Sequence, residues 1–112
     1  MRFAQPQPVS KEAAEARLSS GSTESVAETL VALAFHEPDR AWVQDKCLRF
    51  AKDEDWRIRA VAATCLGHLA RIHRALDLAV VWPVLLKLQE DADVRPYAND
   101  ALDDVRMFVG QP

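Results

Sequence analysis

Cys65 and His68 stand three residues apart, a spacing at which two side chains on one helix turn could reach a common metal ion. On the helix that carries them, however, Cys65 falls on the apolar face and His68 on the polar one. A zinc site needs about four ligands, and the remaining histidines, His36 and His73, supply no second pair with ligand spacing. Asp100, Asp103 and Asp104 have the form of an acid/base cluster, but they sit on a polar helix face where nothing would raise a carboxylate into the catalytic range. The chain has no glycine-rich phosphate loop, no nucleophile elbow and no His-Glu-x-x-His pair. It therefore reads as a non-enzyme without catalytic residues, metal or cofactor. Cys47 and Cys65 both fall on apolar faces, where a free thiol behaves as a small hydrophobe rather than half of a disulfide framework.

Those residues need elements to hold them, and the composition says which kind. Of 112 residues, 49% are hydrophobic and 28% charged, a globular mixture in one domain-sized chain. Three glycines are too few for a β-rich fold with many tight turns. No apolar run approaches the ~20 residues that span a bilayer, and the opening eight residues lack the apolar centre of a secretory signal. The expectation is a cytoplasmic protein that engages no membrane. The net charge of −3 is unevenly spread: residues 1–74 sum to +1 and residues 75–112 to −4. That balance argues against nucleic acid as a direct partner, since phosphate neutralisation needs clustered Lys and Arg. It suits a basic protein instead.

Hydrophobic spacing predicts six helices in three hairpins, at about 10–36, 39–74 and 77–110, with residues 1–9 as a flexible arm. Ser10, Ser22 and Asp39 are placed to cap the first three helices, and Gly21 to end the first. Trp42, Val43, Cys47 and Phe50 mark the inward side of the third. Ile58, Val61, Ala62, Cys65, Leu66, Leu69 and Ile72 form one apolar stripe along the fourth, which starts at Trp56. Pro83 must either kink the fifth helix or lie in its first turn. Asp93 is the expected cap of the sixth, whose predicted buried face is Val94, Tyr97, Ala98, Ala101, Leu102, Val105 and Phe108.

Glu54, Asp55, Arg59, Ala62 and Leu66 recur 36 residues on as Glu90, Asp91, Arg95, Ala98 and Leu102. One step back, Val26, Leu30 and Leu33 fall in register with Ala62, Leu66 and Leu69. A period of this length means a stacked solenoid in which each hairpin buries its face against its neighbours.

The run Asp55-x-x-x-Ile58-Arg59-x-x-Ala62-x-x-x-Leu66-Gly67 resembles the second helix of a HEAT repeat, and Val94-Arg95-x-x-Ala98-x-x-x-Leu102 resembles it again. The resemblance covers roughly residues 22–109 and implies an all-α, HEAT-like α-solenoid in which Arg59 and Arg95 bond to the neighbouring turn. With Trp42-Val43-Gln44 and the run Cys65 to His73, so short a chain is also similar to small bacterial immunity proteins of contact-dependent growth inhibition and related polymorphic toxin systems. That similarity implies a protein that binds and neutralises a cognate toxin C-terminal domain, often a nuclease, by occlusion. A generic HEAT adaptor in a larger complex is the alternative, and a HEAT-like enzyme is a third reading.

On the fourth helix, Arg57, Thr64, His68 and Arg71 lie within about 60° of one another, opposite the apolar stripe. The repeat carries Thr64 and His68 onto Asp100 and Asp104, with Asp103 beside them, and backwards onto Glu28 and Ala32; Arg71 goes back to Phe35. Second helices of HEAT repeats line the concave face, so these residues are the expected partner-binding surface: an acidic, then a basic, then an acidic ridge.

Overall fold

Short polar connections separate apolar-periodic segments of ten to eighteen residues, and each segment forms a helix. The computed structural model describes residues 6–112 and contains α1 (Lys11–Ser20), α2 (Thr23–His36), α3 (Arg40–Phe50), α4 (Trp56–His73), α5 (Leu78–Leu88) and α6 (Arg95–Phe108). Side-chain caps account for four of the starts. Ser10, Ser22, Asp39 and Asp55 accept hydrogen bonds from the amides of Ala13, Ser25, Trp42 and Arg57, which the helices themselves cannot satisfy.

The helices pair as α1–α2, α3–α4 and α5–α6, and the second helix of each pair stacks on the next, α2 on α4 and α4 on α6. The result is an inner layer of α2, α4 and α6 backed by α1, α3 and α5, with overall extents of 34 × 29 × 28 Å. The 36-residue register is visible in the core. Leu30, Leu66 and Leu102 are fully buried, as are Leu33, Leu69 and Val105, so equivalent residues fill equivalent holes between layers. Gly67 lies where α4 and α6 pack tightly: a Cβ there would lie 3.2 Å from the Ala101 Cα and 3.0 Å from an Asp104 carboxylate oxygen.

Polar bonds tie the hairpins together at their ends. The Gln44 carbonyl oxygen, nearly buried in α3, accepts from the Asp77 amide at 2.9 Å and from the Arg40 guanidinium at 2.8 Å. Asp77 itself makes no side-chain cap, so Gln44 orients the start of α5 from the previous hairpin. Arg59 donates to the carbonyls of Asp53 and Glu54 and to the Asp91 carboxylate at 2.5 Å, joining the α3–α4 turn to the α5–α6 turn. Arg95 repeats part of this with a 2.8 Å bond to the Gln89 carbonyl. At the other end, Lys11 and Lys46 hold their ammonium groups 5.2 and 5.0 Å from the Trp42 ring centroid and pair with Asp39 and Glu15, fastening α1 to α3.

Two details depart from the sequence-based expectation, and two others bear on it. The turn before α6 is organised by Asp91, not Asp93: its carbonyl accepts from the Val94 and Arg95 amides, and its carboxylate accepts from the Asp93 amide at 3.0 Å. Asp91 thus repeats the part that Asp55 plays before α4, as the 36-residue register requires. Tyr97 and Ile72 are 42% and 44% exposed, because each lies at the margin of its stripe and beyond the reach of the opposite layer. Pro83 lies inside α5 beyond its first turn, and α5 continues through it. Pro83 and Ala79 are both exposed, so water can solvate the Ala79 carbonyl that the missing amide leaves free. Of the flexible arm expected over residues 1–9, the first five lie outside the described residues. Pro6 to Ser10 run without helix, the Pro6 carbonyl accepts from His36 at 2.5 Å, and Val9 packs on the core.

Candidate partner-binding face

The outward side of the α2/α4/α6 layer carries most of the residues singled out above. Its architecture follows from the buried side. With Leu30, Leu66 and Leu102 pointing between the layers, residues two positions earlier, Glu28, Thr64 and Asp100, stand about 160° round the helix and face out.

One cluster forms near the C-terminal ends of α2 and α4. The Phe35 ring lies 4.8 Å from the His68 ring, tilted by 40°. The Arg71 guanidinium donates to the His68 Nδ1 at 2.6 Å. Since arginine does not give up its proton, this bond holds the imidazole neutral, with its hydrogen on Nε2. Partial burial and the neighbouring Arg71 charge both lower the His68 pKa, and Asp104 opposes them. Asp104 reaches His68 from α6, across the close packing at Gly67. Phe35, His68, Arg71 and Asp104 therefore form one contiguous cluster drawn from three helices.

A second cluster forms near the N-terminal ends. Trp56, Arg57, Ala60, Val61, Thr64 and Tyr97 line a shallow cleft of about 230 Å³. Arg57 does not project freely into it. Its Nε and terminal nitrogen meet the two carboxylate oxygens of Asp55 at 3.1 and 2.9 Å. That fork and the Arg57 amide hold the Asp55 carboxyl down to about 2, with the Thr23 hydroxyl adding a further bond. Trp56 and Tyr97 were not among the residues singled out from the sequence. The signal was present, since the register maps Val61 onto Tyr97 and Val61 borders the polar stripe of α4.

The remaining members are more dispersed. Glu28 and Asp100 are exposed on either side of Thr64. Asp103 turns toward α5 instead, pairing at 2.9 Å with Arg106, whose guanidinium lies 5.3 Å from the Trp82 ring. A larger hollow of about 570 Å³ lies on another edge of the molecule, between the α3–α4 turn and the end of α5, and includes Lys52, Lys87 and the Arg59–Asp91 pair. Among the described residues, no group of three or more His, Cys, Asp or Glu side chains is arranged to hold a metal ion. Among the described residues, no helix is long and apolar enough to cross a membrane. Cys47 and Cys65 are free thiols buried in the core, and the hydrogen bond with the neighbouring Cys47, together with burial, raises the Cys65 pKa.

Comparison with known proteins agrees with this architecture. The HEAT repeat model matches residues 43–73, which span most of α3 and all of α4. The whole molecule superposes on a chain in the crystal structure of a CDI complex from Cupriavidus taiwanensis LMG 19424. The TM-score is 0.87 and the identity 36%, covering 96% of this chain and 97% of that one. The two chains belong to one family. A search of curated proteins returned no match. The likeness extends over the full array of hairpins, so the stacking of the helices is shared with that chain.

Proposed function

We propose that this protein is an immunity protein that binds a cognate toxin domain and neutralises it by occlusion, through the exposed face of α2, α4 and α6. The observation that carries the reading is the full-length likeness to a chain of a CDI complex, taken as contact-dependent growth inhibition. The site's chemistry supports it. The face mixes exposed aromatics with charge, the composition of a protein-docking surface. The carboxylates Glu28, Asp100 and Asp104 outnumber the free cations, because Arg57 is neutralised by Asp55. The partner is accordingly a basic toxin C-terminal domain, and a nuclease, which must itself attract phosphate, has the matching charge. Docking places this face over the toxin's active site from the cytoplasmic side of the cell.

The test is co-expression with a cognate toxin domain, sought in the open reading frame upstream of this gene. Growth should be restored, and the two chains should elute together as a stoichiometric complex. Replacing Asp100, Asp103 and Asp104 together by Lys should speed dissociation and weaken binding by at least about tenfold. Continued toxicity in the presence of the folded protein would refute the reading. Unchanged affinity of the triple variant would move the interface off α6.

A further inference from the structure

The cleft between α4 and α6 has the size of one side chain rather than of a helix or strand, at about 230 Å³. Its lining includes two aromatic residues left 40% and 42% exposed, Trp56 and Tyr97, together with the small residues Ala60 and Thr64. Two large, partly exposed aromatics lining one cleft are a costly use of surface in a molecule this small. Apart from Arg57, the flanking charge is negative. Glu28 and Asp100 occupy the positions equivalent to Thr64 on the neighbouring helices. Glu24 lies close enough to Arg57 to help hold its charge. Arg57, the one cation lining the cleft, is held by both oxygens of Asp55. An aromatic-walled slot with carboxylates on the flanking helices matches a planar cation on an apolar stem, which stacks on the rings while its edge stays free to hydrogen bond with the acids. A lysine fits less well, because its ammonium is compact and strongly hydrated and gains little from ring stacking.

We infer that the Trp56–Tyr97 cleft is the receptor for a single arginine side chain of the bound protein, and that this arginine anchors the complex. The inference rests on the reading of the α2/α4/α6 face as the toxin-docking surface and adds to it the chemistry of one contact.

Two experiments separate the inference from that reading. In the first, N-acetyl-arginine amide is titrated into the isotope-labelled protein. The Trp56 indole and the Ala60 and Thr64 amide resonances should move saturably in the millimolar range. Tyr97→Ala should abolish the response, and Tyr97→Phe, which keeps the ring, should retain it. N-acetyl-lysine amide and N-acetyl-phenylalanine amide should bind more weakly. No saturable shift, an equal response in folded Tyr97→Ala, or tighter binding of the phenylalanine probe would each overturn the inference. In the second, affinity for the cognate toxin domain is measured for Trp56→Ala and Tyr97→Ala. Each should lose at least about tenfold, the loss expected for an anchor residue. A toxin that binds both variants with native affinity refutes the arginine anchor and leaves the immunity reading standing. Arginine amide binding without any toxin complex does the reverse.

Discussion

His68 is the residue at which the face is most sensitive to its surroundings. Its ring stacks against Phe35, accepts from Arg71 and feels Asp104, and it is neutral because burial and the Arg71 charge disfavour a proton. A histidine whose folded pKa lies below its unfolded value binds fewer protons when folded, so stability rises with pH between the two values. The expected outcome is a stability that is full above the ordinary histidine pKa of about 6.5 and declines as pH falls toward the folded value. His68→Gln should flatten that slope, and urea titrations of both proteins between pH 5 and pH 8 would show it. An unchanged slope in His68→Gln would mean that the protonation is coupled elsewhere. The periodic stripe already put His68 on the outward side of α4. Its bond to Arg71, one turn on, follows from helical spacing, whereas its contact with Phe35 depends on how far apart α2 and α4 pack.

At the scale of elements, the repeat did more than the local signals. Helix starts at Ser10, Ser22 and Asp39 follow from residue type, since each offers an oxygen to amides that a first turn leaves bare. The start of α6 follows only from the register, which assigns to Asp91 the place of Asp55 and passes over Asp93. Burial at the edge of a stripe was not legible in the same way. Tyr97 and Val61 lie at equivalent positions, and whether such a residue is covered depends on the width of the gap between inner helices. That gap is set by Gly67. Gly67→Val would put branched carbons against the Ala101 backbone and push α6 from α4. A loss of about 1–3 kcal/mol in folding stability is expected from chemical denaturation, the usual penalty of overpacking. If the proposed docking face is right, the same change should weaken binding of the protein partner, because it moves Asp104 and Tyr97 relative to α4. A variant as stable as the parent would show that the inner helices can separate freely.

For the whole molecule, the question is whether three hairpins behave as one unit or as a chain of partly independent ones. Leu66 lies at the centre, completely buried, with α2 on one side of its helix and α6 on the other. Cross-hairpin bonds through Gln44 and Arg59 couple the same junctions from the ends. Leu66→Ala should therefore cost about 2–5 kcal/mol, and circular dichroism and tryptophan fluorescence should still report one coincident transition. Separate transitions would mean that the outer hairpins melt without the middle one. The all-α class and the three-hairpin stack follow from composition, spacing and the 36-residue period. The cleft beside Thr64 arises only when two neighbouring ridges are set side by side.

The register has a consequence for how such a protein can change over generations. The positions that fill the core, Leu30, Leu66 and Leu102, and those that face outward, Glu28, Thr64 and Asp100, sit on opposite sides of the same three helices. Substitutions at the second set leave the packing of the first untouched, so their effects on stability are small and nearly additive. A lineage confronted with an altered protein partner can then rewrite its outer residues one at a time without passing through unfolded intermediates. Related chains should accordingly diverge fastest along this face while their buried leucines stay in place.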